Sequence, residues 1–185
     1  MISQKYTNMP KYGHKHKIIS DTSPELLKIK NDPRFKARMA KINSIPIIKK
    51  YDVPYLCGYS NDAKRVYFDR HLPTKWKGHD LTKFLRIHEF TEKAILDIFD
   101  YKYQQAHHFA SYFERKALEA AGLSWDDYQD HLKPYIKKVH TEHLDIVPPD
   151  LDLEPYADEK EKKLLTTLAY DEKKEKKSIK EHLYG

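Results

Sequence analysis

The stretch from Leu81 to Phe99 constrains this chain more than any other, because its hydrophobic period fits only a helix. Stepping about 100° per residue from Leu81 brings Phe84, Leu85, Ile95 and Phe99 within roughly 60° of one direction. Such a stripe has to be buried against another element, which commits the chain to a helical layer. Asp80 is a suitable N-cap in front of it. The same arc contains His88 and Glu92, whereas Arg86, Phe90 and Lys93 point elsewhere. An imidazole and a carboxylate, at i and i+4, therefore occupy a face that should be apolar. Burying a carboxylate without compensation is costly, so a partner is required. Glu89 falls at the edge of the stripe, on the rim of whatever His88 and Glu92 face.

A second helix supplies that partner. It is expected from Tyr103 to Ala121, stopped by Gly122 as a C′ glycine. Its apolar face reads Ala106, Phe109, Ala110, Phe113, Ala117 and Ala121. His107 and Glu114 share one flank of that face, two turns apart, and His108 points to solvent. Antiparallel packing of the two helices brings His88, Glu92, His107 and Glu114 together. Nitrogen and oxygen donors of this kind suit Zn²⁺, and also Mn²⁺ or Fe²⁺. Each residue alone has a blander reading: His88 as a satisfied core histidine, and Glu92 as a buried ion pair to Arg70, Arg86 or Arg115. The joint placement on two helices favours the metal site.

Around these helices the chain divides into three stretches. Residues 1–44 are a basic segment with short helices, one started by Asp21-Thr22-Ser23-Pro24-Glu25 and one following Asn31-Asp32-Pro33. Residues 45–145 form the α+β core. Val53 to Tyr59 and Arg65 to Arg70 are rich in β-branched and aromatic residues, and the turn-like Ser60-Asn61-Asp62-Ala63 between them makes a hairpin. Pro54 puts the first of these at an edge or a strand start. Ser124-Trp125-Asp126-Asp127 opens a third helix that Pro134 kinks or splits. Residues 146–185 read as a linker and a charged tail, with Leu164, Leu165 and Leu168 able to dock one turn. The expected architecture is a small antiparallel sheet or hairpin packed on a mainly helical domain.

Charge is unevenly spread. Residues 1–50 hold 12 Lys/Arg against 3 Asp/Glu, and the whole chain carries a formal net charge of +6. The basic end is either a solvated lysine face or an arm for nucleic acid or another acidic surface, and no aromatic-basic motif sharpens the second choice. Cys57 is the only cysteine, so no internal disulfide can form. With no apolar leader and no apolar run of membrane-spanning length, a soluble, cytoplasmic protein is expected. Cys57 reads as a small buried hydrophobe, His71 as a loop residue or further ligand, and His14 and His16 as surface. His140-Thr141-Glu142-His143 looks like a metal tract but lies at an expected helix end.

His88-Glu89-Phe90-Thr91-Glu92 resembles the HExxH active-site helix of zincin metallopeptidases, with Glu in place of the second histidine. The hairpin before it is similar to the edge strand that precedes this helix in the zincin fold. The segment from Ala106 to Glu114 resembles the second helix of small bacterial and phage proteins that share an HExxE-type helix. The resemblance spans roughly Val53 to Ala121. It implies a zincin-like fold and a peptidase, with His88 and Glu92 as zinc ligands and Glu89 as the general base. The third ligand would come from the later helix, as His107 or Glu114. It also implies that an extended peptide adds to the hairpin edge. Two other functions fit the residues. One is a non-catalytic or dinuclear His/Glu metal protein, and the other is an accessory protein that binds nucleic acid or a protein partner through residues 1–50.

Overall fold

The computed structural model describes residues 19–53, 55–139 and 144–153, and the fold is α+β. Two short helices come first, α1 (Pro24–Asn31) and α2 (Pro33–Met39). Ser23 caps α1 by accepting the Leu26 N–H at 3.2 Å, and Asp32 caps α2 through the Arg34 and Phe35 N–H groups. Strands β1 (Ile47–Tyr51), β2 (Cys57–Tyr59) and β3 (Val66–Asp69) form one sheet in the order β1-β3-β2. A small hairpin of β4 (Lys75–Trp76) and β5 (His79–Asp80) leads directly into α3 (Leu81–Phe99). The helices α4 (Tyr103–Ala120) and α5 (Trp125–Val139) complete the described fold.

The expected hairpin is present, with Cys57 opposite Phe68 and Tyr59 opposite Val66 in antiparallel register. The sheet as a whole is mixed, because β1 joins the other side of β3 in parallel. Ile45-Pro46-Ile47-Ile48 is rich in β-branched residues, a composition that favours a strand but does not give its direction. α5 runs through Pro134 from Trp125 to Val139 as one helix, so the proline does not split it.

Three apolar clusters hold these parts together. Val66 and Phe68 face the helices, packing with Leu81, Phe84, Leu118, Tyr128 and Leu132. Tyr67, between them in sequence, faces the other way and joins Val53 and Leu151. β3 is therefore buried on both faces, which explains why it lacks polar-apolar alternation. The third cluster joins Ile29 and Phe35 from α1 and α2 to Ala94, Ile95 and Ala106 of α3 and α4. Residues 24–39 thus share a core with the stretch from 45 to 145, and the boundary expected at 44 crosses continuous packing.

The described residues from 146 to 153, expected as part of a linker, are docked together with 144 and 145 on the outer face of the sheet. Asp52 N–H donates to the Ile146 carbonyl, Asn61 N–H to Asp150, and Asp152 N–H to Tyr59. Side chains fasten this strap as well: Arg65 pairs with Asp150 at 2.6 Å, Lys93 with Asp152 at 2.9 Å, and Arg70 with Asp145 at 3.2 Å. The tail from 154 onward, including Leu164, Leu165 and Leu168, lies outside the described residues, as do His14, His16 and the tract His140 to His143. No helix among the described residues is long and apolar enough to cross a membrane.

Candidate metal centre

α3 begins where Asp80 accepts the Thr82 N–H at 3.0 Å, and it ends at Asp100, whose backbone is left-handed. Only Asp100 to Lys102 separate it from α4. The reversal is antiparallel, since His88 meets Glu114 while Glu92, later in α3, meets His107, earlier in α4. Gly122 has φ +75, the conformation a C′ glycine adopts, and ends the second helix as expected. Phe90, which points away from the stripe, is nevertheless buried, with the Arg38 guanidinium over its ring. The reason is α2, which covers a flank of α3 that lies off the stripe.

The four expected residues are brought together, in two distinct positions. His88 Nε2 lies 3.0 Å from His107 Nδ1, His107 Nδ1 lies 2.9 Å from Glu92 Oε2, and His88 Nε2 lies 3.7 Å from that same oxygen. These donor atoms form a triangle able to hold a metal ion. Glu114 is elsewhere: its Oε2 is 2.9 Å from Nδ1, the other ring nitrogen of His88. The alternative left open between His107 and Glu114 thus divides by geometry, with His107 in the triangle and Glu114 behind His88. Glu114 also sits in the buried row Ala106, Ala110, Glu114 and Leu118, closer to the centre of the face than the flank it was expected to occupy. His108 is half-buried and outside the triangle, and His71 lies at the surface accepting from Arg70.

The triangle fits a metal. Bonds of about 2.0–2.1 Å in a tetrahedral zinc site place ligand atoms about 3.3 Å apart, and the three edges bracket that value. Lone pairs converging this closely need a cation among them, either a proton or a metal. The arginines that could have neutralised Glu92 are committed elsewhere. Arg70 pairs with Asp52, Arg86 bonds Asn43, and Arg115 pairs with Glu119. Glu92 is 2 % exposed and its compensation comes from the two histidines.

The electrostatics reflect this mutual dependence. Burial opposes a charged His88, yet the Glu114 carboxylate and then Glu92 raise its pKa well above the ordinary histidine value. Burial also opposes a charged Glu92, but hydrogen bonds with His107 and His88 hold its carboxyl below the usual range. Glu89 goes the other way: burial, and then the Glu92 charge, push it up to about 8. Glu89 keeps some exposed surface while being closely surrounded by protein.

A cavity of about 150 Å³ opens beside the triangle. His88, Glu89, Glu92 and His107 form one wall, with Cys57 of β2 and Leu132 of α5 among the residues opposite. Cys57 is buried, as expected, and burial raises its thiol pKa far above normal, which disfavours the thiolate. The hairpin edge is less available to a peptide than expected, since the strap occupies the β2 carbonyl of Tyr59 and the N–H of Asn61. In the basic segment, Arg34 pairs with Asp32 and Arg38 with Asp97, so both arginines serve the fold.

Sequence reasoning missed Tyr128, whose hydroxyl donates to Glu114 Oε1 at 2.5 Å. Projecting α5 places Tyr128 one turn from Leu132 on a buried face, but nothing in the sequence connects its hydroxyl with Glu114. Comparison with protein-family models, curated proteins and solved structures finds no match for this chain.

Proposed function

We propose that this chain is a metal-dependent hydrolase, with His88, Glu92 and His107 holding a divalent cation and Glu89 managing protons beside it. The observation that carries the proposal is the donor triangle, with edges of 2.9, 3.0 and 3.7 Å set into the wall of a cavity. Two nitrogens and one carboxylate oxygen suit Zn²⁺, with Mn²⁺ or Fe²⁺ as alternatives. A bound divalent cation supplies Lewis-acid polarisation and a water of lowered pKa.

The chain's own residues have separable parts. Glu114 fixes His88 with Nδ1 toward itself and Nε2 toward the triangle. Glu89 follows His88 in the helix, lines the cavity and stands outside the triangle, which makes it the carboxylate left to accept and return a proton. The cavity's accessibility favours a reactive site over a closed structural one, because structural zinc sites leave no open position. A dinuclear site is less favoured, since both Glu114 oxygens are engaged, by His88 and by Tyr128. A peptide bond is the substrate class suggested by the likeness of His88 to Glu92 to the zincin helix.

Elemental analysis of the full chain after zinc dialysis tests this reading. One zinc per chain is expected, with none in His88→Ala. Glu89→Gln is expected to keep the metal and to lose at least about 100-fold of the hydrolysis of an unstructured peptide mixture, the lower end for a lost general base. Metal-free protein, or an active Glu89→Gln variant, overturns it.

A further inference from the structure

The candidate centre does not end with the two helices that carry the triangle. Glu114 is a carboxylate 3 % exposed, and its two oxygens have different partners: His88 Nδ1 at 2.9 Å and the Tyr128 hydroxyl at 2.5 Å. Tyr128 is itself fully buried and belongs to α5. Its ring is held by Trp125 at 5.7 Å, Trp76 at 5.8 Å and Phe84 at 6.3 Å, centroid to centroid. These aromatic neighbours leave the hydroxyl little freedom to turn from Glu114.

From this chain of contacts we infer that Tyr128 is a positioning residue for the metal centre, acting through Glu114 to fix the ring of His88. This rests on the reading of His88, Glu92 and His107 as a metal site. A carboxylate with one oxygen bonded to His88 and the other unsatisfied could rotate about its terminal torsion, and the imidazole would rotate with it. With Tyr128 on the second oxygen, both ends of Glu114 are fixed. With a metal in the triangle, His88 would donate from Nδ1 and present the lone pair of Nε2 to it. The centre thus draws on three helices: α3 for His88 and Glu92, α4 for His107 and Glu114, and α5 for the hydroxyl that orients them.

Tyr128→Phe tests this in the full-length protein, because it keeps the ring and removes only the hydroxyl. Zinc affinity, measured by competition with a chelator, should weaken about 10–100-fold, the range for losing an outer hydrogen-bond partner of a ligand. Cobalt(II) substituted for zinc should show a shifted visible absorption band, which reports ligand geometry. The decisive measurement is a double-mutant cycle with Glu114→Gln. If Tyr128 acts through Glu114, adding Tyr128→Phe to Glu114→Gln should weaken zinc binding by less than about twofold further. An unchanged zinc affinity in Tyr128→Phe overturns the inference, and so does a full effect that persists in the Glu114→Gln background. A lower melting temperature with unaltered zinc affinity also overturns it, since that is the mark of a purely structural hydroxyl. None of these readouts requires turnover. A protein that binds zinc as described and hydrolyses nothing defeats the hydrolase proposal while leaving this inference standing.

Discussion

His107 and His108 are neighbours in the sequence, yet only His107 lies 2.9 Å from Glu92. A helical step of about 100° separates the two rings, so packing α4 against α3 selects one and turns the other aside. His107→Ala should therefore lower zinc affinity by more than the roughly 10–100-fold of a lost outer partner, while His108→Ala should leave it unchanged, as titration with zinc would show. The same His107 substitution removes a donor from the buried Glu92 carboxylate, and the metal-free protein should lose about 1–3 kcal/mol in denaturant unfolding. The choice between His107 and His108 was legible from angles alone. The choice between His107 and Glu114 was not. Those two are seven positions apart, about 10.5 Å along a helix, and they meet different nitrogens of His88. Which of them faces Nε2 of His88 depends on the axial offset of α3 and α4, which packing sets and local sequence does not record. His88 spans the gap by presenting one ring nitrogen to each.

At the scale of elements, signals written in a few adjacent residues were readable. Ser23, Asp32 and Asp80 each cap the helix they were expected to start. Gly122 closes α4 at φ +75, and a Cβ built there meets nothing within 4 Å. Gly122→Ala should consequently cost only backbone strain, about 1–2 kcal/mol, with no steric penalty. Gly122→Asn should cost less, because its short polar side chain tolerates the left-handed region. Chemical denaturation of the two variants gives that order if the strain account is correct, and equal losses would refute it. Elements whose partners lie far away were harder to place. The parallel seating of β1 against β3 and the burial of Phe90 under α2 follow from tertiary contacts that a hydrophobic period cannot reveal. The docking of the strap is hidden from local sequence for the same reason. Ile146-Val147-Pro148-Pro149-Asp150 carries linker-like prolines, and its docking depends on Val53, Tyr67 and Arg65 elsewhere in the chain.

Across the whole molecule, the candidate centre and the strap lie on opposite sides of one sheet. The helical side joins Val66 and Phe68 to Leu81 and Tyr128, while the outer side joins Tyr67 and Val53 to Leu151. This arrangement separates two sources of stability. A metal on His88, Glu92 and His107 would tie α3 to α4, and an unfolded chain cannot present those residues together. Zinc at 1,000 times its dissociation constant should therefore add about 4 kcal/mol to unfolding, an increment that a chelator removes. Leu151 is 6 % exposed, and Leu151→Ala empties part of the outer cluster, for which a loss of about 2–3 kcal/mol is expected. Since Leu151 and the triangle share no partners among the described residues, the two effects should add within about 0.5 kcal/mol. Thermal and denaturant unfolding of wild type and Leu151→Ala, each with and without zinc, completes that square. A zinc increment that shrinks in Leu151→Ala would mean that the strap reaches the centre through the sheet. Lys93 offers the route for such a link, because it leaves α3 one residue after Glu92 and pairs with Asp152 of the strap at 2.9 Å. Its ammonium also lies over the ring of Tyr59, whose hydroxyl feels the Glu92 charge. The opposed placement of the two clusters argues that this link carries little energy, and the additivity of zinc and Leu151→Ala measures how little.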